Sequence, residues 1–498
     1  MKIFRYFCLL GLCLPLLSIA ADNRHRDEKV LLIGEVLYYA DQGMYVDAIT
    51  RLDIAIGKFY GQDSINPAPL HLQSGRSRIS VGDLESSFRM HQRAAHTYKA
   101  ISESRVDQLV RNEASYRLAR VYQQTGDSGR AMEVIERIAG SVPKEFIEDE
   151  RFLRGQIYLA NRKYSDAVNI LLKLQDAKSY KGFAAYNLGV ALIKNGQEKQ
   201  GIDQLDKAGK LSADDEITRS IRDKANLVLG YRLLDAKQPA LGRKYLDQVR
   251  LNGPFSNRAL LGSGWAEVEL GSYEKALAPW IVLVTRDMTD KSVQESMLGV
   301  PYAYGKLNLP GKAANLYVKA LDGFERELVR LAASLNAVRE GKFLQALLRE
   351  DMKQDETLVA KVKSLPETPD TRYLLELMKS SDFQDLLRNY LDLDDLMKGL
   401  KVAEAYLDSL SGKHLSAAGS NKEYNDQVRQ LKASVHDLSL KADVLMTKHG
   451  HMLNVLATNE LEQRRKQLQE YQTQARFGLA ESYELALRKQ QAPSGGEK

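Results

Sequence analysis

Few residues in this chain have the types and spacing that chemistry requires. Ser141 and Lys144 have the spacing of a Ser-x-x-Lys nucleophile and base, but Pro143 breaks the helical turn that would bring their side chains together. The 498 residues contain no nucleophile elbow, phosphate-binding loop, zinc-protease helix or CxxC pair. We therefore predict that the protein is not an enzyme, with no catalytic residues and no cofactor.

Histidines and acidic runs could instead hold a metal ion. His449 and His451 are two residues apart and diverge on a helix, and no third ligand accompanies them. The stretch YLDLDD at 390–395 lacks the glycine of a calcium-binding loop. The sequence predicts no metal site.

The first twenty residues have the pattern of an export signal. Lys2 and Arg5 precede an apolar stretch, and Ser18 and Ala20 place small residues where a signal peptidase reads them. We predict a signal peptide at 1–20 with cleavage after Ala20. The alternatives are an uncleaved anchor, for which the apolar stretch is short, and a lipoprotein signal at Cys13, where the preceding Leu12 is bulky.

Cysteine use and charge indicate the compartment and the class of partner. Cys8 and Cys13 are the two cysteines of the sequence, so cleavage would leave none for disulfides, thiolate catalysis or metal binding. The formal net charge of +6 falls to +4 without the signal, which is too small to favour nucleic acid. These features predict a bacterial periplasmic protein without a transmembrane segment after cleavage.

A repeated pattern runs through most of the remaining chain. Stretches such as YNLGVALIKNG at 186–196 place a small residue in an apolar helix, followed by a turn and a second small residue. The second small residue recurs every 33 to 44 residues, at Ala48, Ser87, Ala131, Ala167, Gly201, Gly242, Ala276, Ala313 and Ala346, where Ser87 and Ala346 belong to the weakest copies.

This pattern resembles the tetratricopeptide repeat, a pair of antiparallel helices with small residues at its eighth and twentieth positions. The resemblance implies an all-α fold, a right-handed α-solenoid of about eight to nine helix pairs over residues 21–363. It also implies a concave face lined by positions 5, 9 and 13 of the first helices. On this chain those positions give a partner-binding groove of Arg76, Tyr116, Arg120, Phe152, Tyr186, Lys194, Tyr231, Trp265, Tyr302 and Lys306.

Long helices are predicted after the repeats. The stretch SLPETPDT places a linker at 364–371, and heptad seams follow at Leu393–Leu410 and Tyr424–Leu456. We favour an antiparallel hairpin that projects from the repeats, within a long-helix region at 372–489. The alternative is two separate amphipathic helices that lie on the repeats.

The end of that region matches a first repeat helix. FGLAESY at 477–483 resembles YRLARVY at 116–122 in side-chain type, which suggests a half-repeat that could cap an array, or else a chance match. Residues 490–498 are predicted to be disordered.

Three functions fit these features. The first is a periplasmic scaffold that binds a peptide or helical segment of an envelope protein in the groove, with self-association through the C-terminal helices. The second is a promiscuous chaperone or carrier of extended clients. The third, an enzyme acting on the cell wall, lacks an acid and base pair.

Overall fold

The chain folds into helical hairpins that follow one another along the sequence. The computed structural model describes residues 35–36, 38–39, 71–74, 77–80, 83, 86, 91–175, 177, 180–212, 215–348, 368, 371–373, 377–378, 380–414 and 422–491. The chain divides into two compact units, Met1–Leu229 (the first unit) and Gly230–Lys498 (the second unit). The predicted signal at 1–20, the repeat at Ala48, most of the 364–371 linker and the tail at 492–498 lie outside the described residues.

The first unit contains one β-hairpin and a series of short helices. Its elements are β1 (His71–Ser74), β2 (Ser77–Ser80), α1 (His91–Ser102), α2 (Gln108–Gln124), α3 (Ser128–Glu136), α4 (Ile147–Ala160), α5 (Tyr164–Leu172), α6 (Lys181–Lys194) and α7 (Glu198–Gly209). The boundary between the units falls within α8 (Glu216–Asp235). Asp107 and Asp127 cap α2 and α3 by accepting hydrogen bonds from the backbone N–H groups of Leu109 and Arg130.

The second unit begins with similar hairpins and ends with long helices. Its elements are α9 (Pro239–Leu246), α10 (Ser256–Glu269), α11 (Tyr273–Leu283), α12 (Lys291–Lys306), α13 (Pro310–Arg339), α14 (Lys342–Leu347), α15 (Ser381–His414) and α16 (Lys422–Gln491). Among the described residues, none of these helices combines the length and apolar character that a membrane crossing requires.

The turns establish the repeat register independently of side-chain burial. Seven residues five positions before a predicted second small residue have a left-handed backbone: Gly126, Arg162, Gly196, Lys237, Gly271, Asn308 and Gly341. Each follows the first helix of a pair and directs the chain back along it. Only one other described residue, Gly140, has a positive φ. The all-α repeat fold predicted from the sequence is therefore confirmed over these seven pairs, including the weak copy at Ala346.

Small residues allow the two helices of a pair to approach closely. A Cβ atom placed on Gly189 would lie 2.7 Å from Leu205 Cγ and 3.0 Å from the carbonyl oxygen of Gly201. Within the second unit, a Cβ atom on Gly230 would lie 3.1 Å from the carbonyl oxygen of Gly242. These glycines are packing positions, as the eighth and twentieth positions of the repeat predict.

The β-hairpin corrects the repeat predicted around Ser87. His71–Ser74 pairs with Ser77–Ser80 in antiparallel register, where the sequence predicted a first helix. Pro67 and Pro69 precede this segment and disfavour a helix there. Arg76, predicted to line the groove from that helix, lies outside the described residues.

Helix α13 joins two repeats without a turn between them. It contains the second helix of the Ala313 repeat and the first helix of the Ala346 repeat. The connecting stretch LDGFERE at 321–327 contains no proline, and Gly323 alone does not end the helix. The first helix of the Ala346 repeat therefore continues straight on instead of folding back.

Both arrangements considered for the C-terminal helices occur, in different parts of α16. Residues near its start pair antiparallel with α15, as shown by the Lys432–Asp408 ion pair and by Gly450 against the Tyr390 ring. Residues 453–491 instead lie along α13, where Gln472 Nε2 donates to Glu325 Oε2 at 2.8 Å. The antiparallel hairpin thus forms, while the rest of α16 lies on the repeats.

This packing makes the end of the repeat array depend on the C-terminal helices. Phe324 and Leu331 of α13 share one apolar core with Leu461, Leu468 and Tyr471 of α16. A fragment ending at residue 363 would therefore leave that face of α13 uncovered.

The paired part of α16 buries only half of the predicted seam. Val428 and Ala442 are buried, whereas Leu431, Leu438, Leu445 and Met452 of the same seam are 40 to 55% exposed. Ser439 and Met446 are more covered than those leucines, so the helix is rotated relative to the seam expected from the sequence.

Residues 471–491 of α16, here the terminal segment, occupy the place of a first repeat helix. Gly478, two residues before Ala480, faces the Tyr317 ring of the preceding repeat. The sixth position makes the same contact in two complete repeats, because a Cβ atom on Gly262 would lie 3.0 Å from Leu246 and one on Gly299 would lie 2.9 Å from Trp280. The terminal segment therefore fills the site that α13 leaves vacant by running straight on.

Candidate functional site

The predicted groove residues of the first unit are used mainly for packing. Tyr116 is 3% exposed and its ring stacks on Phe146 at 5.8 Å between centroids. Burial raises the pKa of the Tyr116 hydroxyl, although Arg120 opposes the shift. Tyr116 is thus a core residue rather than a binding residue, because the loop after α3 returns Phe146 over its ring.

The other two predicted groove aromatics of the first unit, Phe152 and Tyr186, are half-buried. Phe152 stacks on Tyr180 at 4.6 Å, and the Tyr180 hydroxyl donates to Asp149 Oδ1 at 2.8 Å. Tyr186 lies under the Lys224 ammonium group, 5.1 Å from the ring centroid. Lys194 is exposed at the end of α6. This face therefore offers partly covered rings with a cation above one of them.

The second unit contains a more polar aromatic cluster. The Trp265 indole N–H donates to Glu295 Oε1 at 2.7 Å, and its ring packs edge-on against Trp280 at 5.0 Å. Tyr302 lies 6.3 Å from Trp265, with the Lys306 ammonium group 5.3 Å from the Tyr302 ring. One acid and one cation thus flank two partly exposed rings on neighbouring first helices.

Tyr231 lies beside this cluster and is held by its neighbour on α10. Its hydroxyl donates to the carbonyl oxygen of Arg258 at 2.8 Å, and the Arg258 guanidinium lies 5.7 Å from the ring. Burial raises the pKa of Tyr231 to about 12; Arg258 lowers it and Glu295 adds to the rise. Glu295 therefore acts electrostatically on two of the predicted groove residues.

The second position of the first helix also contributes to this face, although it was not among the positions predicted from the sequence. Residues there lie against a predicted groove residue of the preceding repeat: Phe183 against Phe152, Lys224 against Tyr186, Arg258 against Tyr231 and Glu295 against Trp265. The repeat register that gave positions 5, 9 and 13 also locates this position, six residues before the first small residue. These residues supply much of the charge on the face.

The groups in this cluster have the chemistry of a surface that suits a chain segment. Aromatic faces with a carboxylate and flanking cations suit a peptide or helix that buries apolar side chains and orients its charges. Among the described residues, no group of three or more His, Cys, Asp or Glu side chains could hold a metal ion.

Comparison with known proteins identifies the repeats. Family models described as tetratricopeptide repeat match residues 227–284 and 113–140. An uncharacterized protein of Schizosaccharomyces pombe, C11E3.14, is 29% identical over 97 residues, which cover 19% of this chain and 16% of that protein. The chain therefore spans less than a fifth of that relative.

Solved structures that are similar to this chain include the following two. A tetratricopeptide repeat protein from Parabacteroides merdae is 14% identical, covers 55% of this chain and 98% of its own, and has a TM-score of 0.36. The apo form of RapI is 12% identical, covers 74% of this chain and 94% of its own, and has a TM-score of 0.40.

The fold and the helical faces define a class, that of all-α repeat proteins whose surfaces bind other proteins. Within it, the two family matches identify tetratricopeptide repeats at 113–140 and 227–284, and the repeated turn geometry extends the same pattern over seven helix pairs. Proteins with this repeat act as protein–protein interaction scaffolds and are generally not catalysts.

Proposed function

We propose that this protein is an exported scaffold that binds a peptide or helical segment of a cell-envelope protein through the first-helix face of its second unit. The observation that carries the proposal is the cluster of Trp265, Glu295, Tyr302 and Lys306, in which two half-buried rings are flanked by opposite charges. The apolar start of the sequence and the absence of cysteine after Cys13 support the periplasm as the compartment.

Indole and phenol rings that are already partly desolvated are suited to anchor a partner. They bury a large area while losing little side-chain freedom on binding, because Trp265 and Tyr302 are already fixed by their neighbours. Glu295 has one oxygen bonded to the Trp265 indole, and its second oxygen is available to accept from a partner. A basic or amide-bearing residue next to an apolar side chain is therefore the expected element of the partner.

The experiment combines photocrosslinking with substitutions on the same face. A photoreactive amino acid at position 306, beside the Tyr302 ring, should capture one or two envelope proteins from the periplasmic fraction. Replacing Trp265 and Tyr302 by alanine should then weaken that capture by about 2 kcal/mol or more if they are anchors. Glu295→Gln should weaken it less and leave the rings in place.

A matched control uses exposed apolar residues on second helices of the same unit. Leu241 and Ile281 are 49% and 45% exposed, and their replacement by alanine should leave capture unchanged. Equal capture by a folded Trp265→Ala/Tyr302→Ala variant would show that the binding face lies elsewhere. Recovery of the crosslinked chain only from the cytoplasm would contradict export.

A promiscuous chaperone or carrier is the second candidate. The incomplete burial of aromatic rings on both units, at Phe152, Tyr186 and Trp265, favours weak contacts with many extended clients. Crosslinking distinguishes the two functions, since a chaperone would capture dozens of proteins from position 306 and a scaffold one or two.

A further inference from the structure

The terminal segment of α16 has one face without a partner. Its buried residues Ala475 and Ser482 point to the preceding repeat, as Ala259 and Ala266 do in α10. The opposite face differs. Leu261 and Gly264 of α10 are buried beside Trp280 in the second helix of their own pair, whereas the corresponding Phe477 and Ala480 of the terminal segment are exposed.

That face is one continuous stripe along the helix. Its exposed residues follow the spacing of three and four that keeps them in line: Thr473, Arg476, Phe477, Ala480, Tyr483, Glu484 and Leu487. Phe477, Tyr483 and Leu487 are 73, 55 and 57% exposed. In a complete repeat an antiparallel helix would cover this stripe and bring a small residue against Ala480, as Gly201 meets Gly189.

We propose that the stripe is covered by the same segment of a second copy of this chain, in an antiparallel pair with Ala480 on the two-fold axis. A two-fold contact places residues equally distant from the axis opposite one another. Arg476 then faces Glu484 of the second copy, and Phe477 faces Tyr483. Ala480 also contacts Ala480 of the second copy, as Gly189 contacts Gly201 inside a repeat.

The charges support this occupant over an unrelated helix. An antiparallel pair centred on Ala480 gives two intermolecular Arg476–Glu484 pairs and no like-charge contact between these four side chains. Glu484 also bonds Arg488 of its own helix, so the intermolecular pair would join an existing ion pair. The pairing uses a different surface from the Trp265 cluster, so either proposal can fail while the other stands.

The central test is a cysteine at the axis. In the full chain with Cys8 and Cys13 replaced by serine, Ala480→Cys should form a disulfide-linked dimer under mild oxidation, because equivalent atoms meet at a two-fold axis. Ala433→Cys, at an exposed alanine elsewhere on α16, is the matched control. It should form no disulfide-linked dimer on non-reducing electrophoresis. Crosslinking at 433 but not at 480 would place the contact between copies on the α15/α16 hairpin and overturn the proposal.

Charge exchange tests the antiparallel register. Arg476→Glu alone should raise the dissociation constant by about tenfold, because symmetry places the repulsion in the contact twice. Arg476→Glu with Glu484→Arg should restore association, measured by sedimentation equilibrium. A chain that is monomeric at all accessible concentrations, or a double variant as weak as the single one, would refute the pairing.

Discussion

The two units use aromatic residues at different positions of the repeat. In the first unit they occur at position 5, where Tyr116 and Phe152 stack on rings from the next repeat. In the second unit Tyr231, Trp265 and Tyr302 occur at position 9, where their neighbours are charged or polar groups such as Arg258 and Glu295. An aromatic residue on a first helix therefore serves packing or recognition according to what the next repeat places against it.

The largest effect expected from this difference is on stability. Tyr116→Ala should lower the free energy of unfolding of the first unit by about 3–5 kcal/mol, because it removes a fully buried ring. Tyr302→Ala should lower the free energy of unfolding of the second unit by only about 1 kcal/mol, since the Tyr302 ring is partly solvated. Urea unfolding with hydrogen exchange resolved by unit measures both. Similar costs at the two positions would remove the distinction between packing and recognition.

Helix packing inside a pair should give a smaller, more local effect. Gly189→Leu should lower the free energy of unfolding by about 1–3 kcal/mol, because the leucine side chain would clash with Leu205 and the backbone of Gly201. Gly399→Leu is the control, since no atom lies within 4 Å of a Cβ placed there and a helical leucine is favourable. Loss of exchange protection should concentrate in α6 and α7. Protection that is unchanged there would mean that the pair tolerates a wider spacing.

The smallest effect concerns alkaline pH. The pKa of Tyr231 is raised to about 12 from an ordinary value near 10, so the folded chain keeps a proton that the unfolded chain has lost. The stabilisation of the folded chain by protonated Tyr231 is fully present below pH 10 and is lost as the pH rises towards 12. Tyr231→Phe should flatten the decline in unfolding free energy over this range. An identical decline in the variant would show that other tyrosines account for it.

These comparisons show which features could be predicted from sequence. The helix pairs could be predicted from the small residues at positions 8 and 20, because two backbones that approach closely leave no room for a large side chain. The straight helix α13 could not be predicted in this way, since the repeat pattern continues through it and only the missing turn distinguishes it. The β-hairpin of His71–Ser74 and Ser77–Ser80 was not predicted either, because it occurs in the weak repeat copy around Ser87.

The binding face was predicted only in part for a related reason. Family position 9 located Trp265 and Tyr231, but their chemistry depends on Glu295 and Arg258 of the following repeat. The pattern of a single repeat does not predict which residues of the next repeat will contact it. Tyr116 shows the same limit, since its burial comes from Phe146, which lies outside the repeat helices.

The docking of the terminal segment on α13 has a consequence for how the chain folds. Most contacts between repeat helices join residues a few tens of positions apart, and such pairs can form as soon as both helices exist. The bonds from Gln472 to Glu325 and from Lys489 to Asn308 instead span 147 and 181 residues. Closing so long a loop is slow and entropically costly. During synthesis the earlier pairs can therefore form one after another, while α13 keeps an uncovered apolar face until the C-terminal helix arrives.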